Sequence, residues 1–380
     1  METKMEVREP RIAWWNQGYH YDYKNDSRVA EPGRTYTWEF IKPAVMRWDD
    51  ITEAQIFLTR KCNLACGYCK LVENQSLEEL DYREWVEAAK NMSKIGIKTV
   101  KILGGEPTVK EWLPDLIETL ENEGIRTALL SNSSFDREMC NRLVAKGLYG
   151  YFASVDGLQE IDQYDGYTSK KSHSGYAMLR RLKRKGVPLL AANAVIHRQN
   201  IDEIPELVQR LSDEGFYINL CTIQHTSDQR REFSRASTQI EGSNKRFTDE
   251  DRPRLKELAR KLTAMQARSV KISIPASYLE NMAEYAPACS WQCDRFYQLR
   301  IDADGGLMLC NEYRSNLAER FNITTMDRFA WADFQNEWIE ERKSLDCHGC
   351  YWSCFLQAKD NVENKTLEFG YAAEHEGILK

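Results

Sequence analysis

Short apolar runs alternate with amphipathic segments from residue 53 to residue 223. This alternation is typical of strand–helix units whose parallel strands lie in one sheet. We predict strands at 54–59, 99–103, 127–132, 149–156, 188–196 and 216–224. Helices are predicted at 82–96, 110–123, 136–146, 174–185, 201–214 and about 251–267. Because six units are fewer than the eight of a closed barrel, the expected fold is α/β, a partial (β/α)6 TIM-like barrel. Chemistry in such sheets gathers at the C-terminal ends of the strands.

The chain of 380 residues is long enough for more than one domain. We assign the partial barrel to residues 51–270 and a small second domain, built from a β-hairpin and helices, to residues 271–380. Residues 1–50 contain four tryptophans among many polar groups, and we expect an N-terminal extension that packs on the barrel. The polar segment 226–250 follows the sixth predicted strand, where it would form either a lid over the site or an inert surface loop.

The charge of the chain excludes one class of partner. The formal net charge is -6, from 52 basic and 58 acidic residues spread along the sequence. Such a distribution produces no broad positive surface for a phosphate backbone, so we expect no nucleic-acid partner. No run approaches the ~20 apolar residues that span a bilayer, and the N-terminus lacks the basic start and apolar run of a signal peptide. We therefore expect a cytoplasmic protein without a membrane partner.

Eleven cysteines need an explanation in a protein expected in the reducing cytosol, where structural disulfides are rare. Metal binding is the first candidate, because most of the cysteines fall into two groups. The groups are Cys62, Cys66 and Cys69, then Cys289, Cys293, Cys310, Cys347, Cys350 and Cys354. Cys140 and Cys221 stand alone in apolar surroundings, where we expect small buried hydrophobic side chains.

The segment CNLACGYC places the first cysteine group on the loop after the first predicted strand. A 4Fe-4S cube takes four cysteine ligands, so three thiolates leave one iron open to a small molecule with an amine and a carboxylate. A zinc site or redox thiols are the alternatives, although zinc needs a fourth ligand and no histidine follows Cys69 within about thirty residues. After the second predicted strand, GGEP comprises two glycines that allow close backbone approach, then a carboxylate, at Gly104, Gly105, Glu106 and Pro107.

Together, the three-cysteine loop and GGEP resemble the radical SAM superfamily, over roughly residues 53–225. The resemblance implies that the three cysteines bind a 4Fe-4S cluster, that its open iron holds S-adenosylmethionine, and that GGEP pairs with the ammonium of the methionine part. It also implies cofactor contacts from Tyr68, Ser131, Asn132, Ser154, Asp156 and Asn193. Each of these six residues could instead be a turn or capping residue.

The resemblance implies a reductive activity. An electron from the reduced cluster cleaves S-adenosylmethionine to methionine and a 5′-deoxyadenosyl radical, which abstracts hydrogen from the substrate. The protein orients the cofactor and excludes water and oxygen. A reductant such as flavodoxin or ferredoxin is the implied protein partner.

The second cysteine group surrounds a predicted β-hairpin at 296–309, with its turn at 304–306. A hairpin flanked by cysteines resembles the start of the SPASM and twitch extensions of radical SAM enzymes, which hold auxiliary 4Fe-4S clusters. Six thiolates fill one cube and leave too few for a second, so the resemblance implies a single auxiliary cluster. Its preferred ligands are Cys293, Cys310, Cys347 and Cys350, with Cys289 or Cys354 able to substitute. A zinc ribbon from the same thiols is the alternative.

Three functions remain open from sequence. The first is hydrogen abstraction from a small biosynthetic metabolite, with the auxiliary cluster as electron acceptor or structural element. The second is a maturase that modifies a ribosomally synthesised peptide by crosslinking, oxidation or epimerisation. The third is a non-catalytic iron–sulfur or zinc protein. Sulfatase-maturing relatives carry an aspartate base after the cysteine that closes the hairpin, and Asn311 at that position argues against a copy of their alcohol oxidation.

Substrate residues are predicted from the end of the sixth strand. His225 is the predicted catalytic proton acceptor, and Gln224 is expected to face the same pocket. Three arginines on the following loop could meet an anionic group or simply be solvated, namely Arg230, Arg231 and Arg235.

Overall fold

The computed structural model describes part of the chain. The described residues are 20–22, 27–30, 34–37, 51–66, 69, 71, 78–158, 172–224, 245–288, 291, 297–308, 310, 313–344 and 351–364. Several predictions fall outside them, namely those for Tyr68, His225, Arg230, Arg231, Arg235, Cys289, Cys293, Asn311, Cys347 and Cys350.

Three short strands near the N-terminus form an antiparallel sheet of their own. They are β1 (His20–Asp22), β2 (Ser27–Ala30) and β3 (Arg34–Thr37), with β2 in the middle. No strand is predicted here from sequence, because runs of three or four residues are too short to show an alternating pattern.

A sheet of seven parallel strands forms the body of the protein. Its strands are β4 (Glu53–Thr59), β5 (Thr99–Gly104), β6 (Arg126–Ser131), β7 (Gly150–Ser154), β8 (Leu189–Ile196), β9 (Tyr217–Thr222) and β10 (Leu299–Ile301). The order across the sheet is β10-β4-β5-β6-β7-β8-β9. Strands β4 to β9 follow one another in chain order, so the prediction of an α/β partial barrel is confirmed.

A seventh strand joins the six that were predicted for the sheet, because β10 adds to the β4 edge. Leu299 pairs with Ala54 and Ile301 with Ile56 in parallel register. The predicted hairpin also forms: the Met308 amide donates to the Arg300 carbonyl (2.9 Å), and the turn contains Gly305 at φ +82°. One arm of the hairpin therefore doubles as the edge strand of the barrel, although it belongs by sequence to the second cysteine region.

The helices lie within a few residues of their predicted positions. The described α-helices are α1 (Tyr82–Lys94), α2 (Leu113–Asn122), α3 (Arg137–Ala145), α4 (Ser172–Arg184), α5 (Ile204–Asp213), α6 (Arg252–Gln266), α7 (Ala276–Tyr285), α8 (Leu317–Arg320), α9 (Arg328–Ser344) and α10 (Ser353–Asn364). A capping box begins α1: Asp81 accepts from the Glu84 amide (2.9 Å), and Glu84 accepts from the Asp81 amide (2.8 Å). Within the described ranges, no helix has the length and apolar character needed to cross a membrane.

The two faces of the main sheet differ in character. Helices bury apolar side chains on the outer face, such as Trp85 of α1 and Leu211 of α5, each fully buried. The inner face carries polar side chains that are also buried, among them Gln55, Lys101 and Asn219. Because buried polar groups need partners, the barrel interior is built for more than hydrophobic packing.

The C-terminal part of the chain is fixed to the β9 edge of the barrel. Gln224, just after β9, donates to the Tyr351 carbonyl (2.8 Å) and accepts from the Tyr351 amide (2.6 Å). The Tyr351 ring stacks on Tyr278 with centroids 4.4 Å apart. On α10, the Gln357 amide donates to the Ser273 carbonyl (2.9 Å). These contacts bring the start of α10 to the open side of the barrel.

Candidate functional site

A cavity of about 180 Å³ lies at the C-terminal ends of the parallel strands. Its lining comes from the loop after β4, from the ends of β5 to β9, and from Trp352 beside α10. We call it the strand-end cavity. Its position agrees with the expectation that chemistry in such sheets gathers at this edge.

The three cysteines of the first group all border the strand-end cavity. Cys62, Cys66 and Cys69 are half-buried and form no disulfide in the described part of the chain, and the Cys69 amide donates to the Cys66 carbonyl (2.9 Å) to form a tight turn. Burial raises the pKa of the Cys62 thiol, and the nearby Glu106 and Cys69 act in the same direction. The structure therefore brings together the three thiols that the sequence grouped.

The side chains that border the cavity include the donors that a 4Fe-4S cube needs. Among the residues that the structure describes, no three metal-binding side chains converge on one point. In a 4Fe-4S cube each cysteine binds a different iron, so its sulfurs stand farther apart than ligands around zinc. Three thiols and a carboxylate on one cavity match the donor set that a cluster with one open iron and an amino acid ligand requires.

The carboxylate of Glu79 accepts hydrogen bonds at the C-terminal end of β4, where the cysteine loop begins. Its Oε1 accepts from the Arg60 amide (2.7 Å) and from Thr59 Oγ1 (2.9 Å), and its Oε2 accepts from Lys110 Nζ (2.7 Å). Burial acts to raise the pKa of Glu79, but the hydrogen bonds from Lys110 and the strand end outweigh it and leave the pKa below its ordinary value. Sequence reasoning missed this residue, because nothing near Glu79 marks it as different from other surface glutamates.

A buried network of ion pairs links the same end of β4 to the C-terminal hairpin. Asp302 accepts from Arg60 Nε (3.1 Å) and from Arg314 Nη1 (2.6 Å), and Arg314 also binds Asp304 (2.5 Å). Asp302 is fully buried and Arg60 is 2% exposed. Arg60 stands two residues before Cys62, and Arg314 four residues after Cys310. The network therefore links segments of both cysteine groups.

The two glycines of GGEP let β5 approach the cysteine loop. The Gly105 amide donates to the Thr59 carbonyl (2.7 Å) and the Glu106 amide to the Lys61 carbonyl (2.9 Å). A Cβ on Gly105 would lie 2.0 Å from the Lys61 carbonyl oxygen, and one on Gly104 would lie 2.3 Å from that of Thr59. The close approach predicted for these glycines is thus made to the chain segment that leads into Cys62.

Replacing Gly105 with alanine should displace the cysteine loop. Both backbones must move to admit the methyl group, and we expect a loss of about 2–3 kcal/mol of unfolding free energy together with reduced iron content after reconstitution. Gly124→Ala is the control, because Gly124 has a positive φ of +75° but open space around it. Equal iron content in the two variants would contradict the role assigned to Gly105.

Glu106 is 1% exposed and borders the strand-end cavity. Its Oε1 accepts from Thr108 Oγ1 (2.6 Å), the Thr108 amide (3.1 Å) and Ser131 Oγ (2.9 Å), and its Oε2 accepts from the Asn132 amide (2.8 Å). Burial raises the pKa of Glu106, and these donors oppose the rise. Because a carboxylate oxygen can accept two hydrogen bonds, Oε2 retains capacity toward the cavity. Pro107 begins a short 3-10 turn, Pro107–Val109, and does not border the cavity.

The predicted polar residues take different positions. Ser131 and Asn132 border the cavity and also hold Glu106, while the Asn132 side chain donates to Asn63 Oδ1 (2.8 Å) in the cysteine loop. Ser154 and Asn193 border the cavity as well. Their contacts with a cofactor stay predictions.

Asp156 lies elsewhere. It is fully buried and does not border the cavity. Its Oδ1 accepts from the Val195 amide (2.9 Å), and its carbonyl accepts from Asn200 Nδ2 (2.7 Å). These bonds join the ends of β7 and β8, so the geometry favours a structural role for Asp156 over contact with a cofactor.

The two lone cysteines also differ from each other. Cys140 is buried in α3, as expected for a small hydrophobic side chain. Cys221 is buried too, but it borders the strand-end cavity, and burial raises its pKa to about 11. From the second cysteine group, Cys310 and Cys354 are half-buried and form no disulfide in the described part of the chain.

Comparison with known proteins agrees with this geometry. Residues 56–211 match the Radical SAM superfamily. The PqqA peptide cyclase of Bradyrhizobium diazoefficiens is 30% identical over 161 residues, which cover 41% of this chain and 42% of that protein. The Fe-coproporphyrin III synthase of Methanosarcina barkeri is 29% identical over 199 residues, which cover 50% of this chain and 46% of that protein. The chain thus spans less than half the length of these curated relatives.

Solved structures share the fold. Streptococcus suis SuiB bound to the precursor peptide SuiA has a TM-score of 0.56 at 17% identity, covering 81% of this chain and 73% of that chain. Native anSMEcpe with bound AdoMet and a Cp18Cys peptide has a TM-score of 0.58 at 16% identity, covering 82% and 95%. At such identities the likeness shows the fold alone. Residues 56–211, which lie within the parallel half-barrel, therefore form a domain of the radical SAM superfamily.

Proposed function

We propose that this chain cleaves S-adenosylmethionine reductively and uses the product to abstract hydrogen from a substrate. The observation that carries the proposal is that three cysteine side chains and a buried carboxylate border the same strand-end cavity. Cys62, Cys66 and Cys69 would hold a 4Fe-4S cluster, and Glu106 would face the ammonium of the methionine part. When bound, the cluster and S-adenosylmethionine supply a 5′-deoxyadenosyl radical.

The residues of the chain contribute position, charge and exclusion of water. Glu106 is held by four donors, so it offers Oε2 to an ammonium without rearranging. An ion pair formed at a carboxylate with 1% exposure is stronger than one formed in water. Apolar side chains such as Leu103, Leu130 and Val195 line the rest of the cavity and would keep water from a reactive species.

The substrate is a small metabolite or a peptide, and the relatives favour the peptide as much as the metabolite. One curated relative is named a PqqA peptide cyclase, and the SuiB and anSMEcpe structures contain peptides. A peptide-modifying reaction is therefore our second candidate function. A non-catalytic iron–sulfur or zinc protein has no use for a carboxylate buried beside three thiols, and we do not retain it.

The second cysteine group is proposed to hold one auxiliary 4Fe-4S cluster, with flavodoxin or ferredoxin as the electron donor of the enzyme. The support lies in Cys310 and Cys354, which form no disulfide in the described part of the chain, and in the hairpin that leads to Cys310. The cluster would accept an electron from the substrate or shape its pocket.

Anaerobic reconstitution tests the proposed function. We expect about eight irons per chain if both clusters form, against about four if the second group binds zinc. With dithionite and S-adenosylmethionine, the reconstituted protein should release 5′-deoxyadenosine, measured by liquid chromatography. A fully loaded first cluster that releases none would overturn the proposal.

Replacing Glu106 with glutamine should weaken S-adenosylmethionine binding about 10–100-fold, because a charge-assisted hydrogen bond is lost. Binding is measured by equilibrium dialysis of the reconstituted protein, independently of turnover. Glu111→Gln, an exposed glutamate in the following turn, is the matched control and should bind normally. Equal affinities in the two variants would remove Glu106 from the site.

A further inference from the structure

A second cavity of about 60 Å³ lies inside the barrel, beside the strand-end cavity. Each of β4 to β9 contributes to its wall, from Gln55 on β4 to Asn219 on β9. The start of α10 closes the open side with residues 352–354 and Gln357. We call this cavity the lower chamber. Leu103, Asn193 and Trp352 are among the residues that border both cavities, so the two are neighbours.

Two polar side chains that line the lower chamber each have one buried atom without a hydrogen-bond partner among the described residues. Asn219 is 8% exposed, and its Nδ2 donates to Asn193 Oδ1 (2.6 Å) while its own Oδ1 accepts nothing. Trp352 Nε1 is also buried and donates to nothing. Buried polar groups in native proteins are normally satisfied. An acceptor and a donor without partners beside one chamber therefore indicate a ligand that carries one hydrogen-bond donor and one acceptor.

The charge of the lower chamber restricts that ligand further. Lys101 is the charged side chain among the lining residues, and its Nζ lies 2.9 Å from Glu53 Oε1. Both partners of this ion pair are nearly inaccessible to solvent, with 5% and 9% of their side-chain surfaces exposed. Since the pair is already neutral, a charged group in the chamber would be buried without a counter-ion, which is strongly unfavourable.

We propose that the lower chamber receives a neutral amide group of the substrate. The amide N–H would donate to Asn219 Oδ1, and the amide carbonyl would accept from Trp352 Nε1. This inference rests on the proposed function, because it places the substrate next to the cavity assigned to the cofactor. It names the substrate class as amide-bearing, through either a peptide bond or a side-chain carboxamide.

Four probes of equal size test the proposal: propionamide, N-methylacetamide, butanone and propionate. Saturation-transfer NMR on the oxidised, reconstituted protein measures their binding without turnover. We expect both amides to bind at least about fivefold better than butanone and propionate, the effect of one added hydrogen bond. Stronger binding of propionamide would indicate a side-chain carboxamide, and stronger binding of N-methylacetamide a peptide bond.

Two variants locate the binding. Asn219→Leu removes the acceptor and should abolish the preference for amides over butanone, while Trp352→Phe removes the donor, keeps an aromatic ring and should weaken amides and butanone alike. Trp112→Phe is the control, since Trp112 is half-buried against Tyr82 outside both cavities. Equal binding of all four probes to the native protein, or an amide preference over butanone that survives in Asn219→Leu, would overturn the proposal.

The same samples separate this inference from the proposed function. Release of 5′-deoxyadenosine without any preference for amides would remove the lower chamber as an amide site and leave the enzyme activity standing. A preference for amides without release of 5′-deoxyadenosine would leave the lower chamber standing as an amide site and remove the enzyme activity.

Discussion

Replacing Cys66 with alanine should reduce 5′-deoxyadenosine release to the background of the assay. The variant keeps Cys62 and Cys69, but two thiolates cannot hold a cube that already lacks a fourth protein ligand. Cys66 also closes the turn of the loop through its carbonyl, which accepts from the Cys69 amide at 2.9 Å, and that backbone bond survives the substitution. The loss therefore reports on the thiol rather than on the loop.

Cys140→Ala is the control for this experiment. Cys140 is fully buried in α3 and does not border the strand-end cavity. Both variants lack one thiol, so general damage from losing a cysteine would affect them alike. We expect the Cys140 variant to retain its iron and its 5′-deoxyadenosine release. Native activity in the Cys66 variant would remove the three-cysteine loop as the cluster site.

Local patterns predicted most of the barrel. Strands β4 to β9 and the helices between them are long enough for their periodicity to appear in the sequence. The pattern predicted the hairpin that contains β10 but not the pairing of β10 with β4, a parallel strand about 245 positions earlier. Pairing at such a separation depends on tertiary contacts, which no window along the sequence contains.

The candidate site divides in the same way. The cysteine loop and GGEP are continuous motifs, and the structure brings them to one cavity as expected. Asp302 could not be found from sequence, because its partner Arg60 is 242 positions away. Glu79 and Trp352 were missed for a related reason. Neither stands in a recognisable motif, and the role of each depends on contacts with residues that are distant in sequence. Asp156 is a different case, because it follows a strand end as the cavity residues do, yet its side chain accepts from the Val195 backbone.

Long-range contacts also change what the second cysteine region does. Gln224 binds both backbone groups of Tyr351, and the start of α10 then forms part of both cavities. The C-terminal segment therefore lines both cavities of the barrel, whichever metal its cysteines bind. A substrate in these cavities would contact residues from both halves of the chain.

Replacing Asp302 with asparagine should destabilise the protein by about 3–5 kcal/mol, because it removes the shared carboxylate between two buried guanidinium groups. Asp302 is fully buried, and Arg60 and Arg314 are 2% and 7% exposed at their side chains. Asp304 still pairs with Arg314, so the uncompensated charge would fall mainly on Arg60. Urea unfolding of the reconstituted protein, followed by circular dichroism, measures the loss.

Glu340→Gln is the matched control, because it neutralises a carboxylate in an ion pair on the surface. Glu340 lies 2.8 Å from Lys343, and the two side chains are 71% and 66% exposed, respectively. Exposed pairs of this kind contribute about 1 kcal/mol or less. Because Arg60 leads into the cysteine loop, the Asp302 variant should also lose iron faster than the control when both are held with a chelator. Equal urea midpoints and equal rates of iron loss in the two variants would mean that the hairpin does not hold the cysteine loop. Arg60 would then owe its position only to the hydrogen bond between its amide and Glu79.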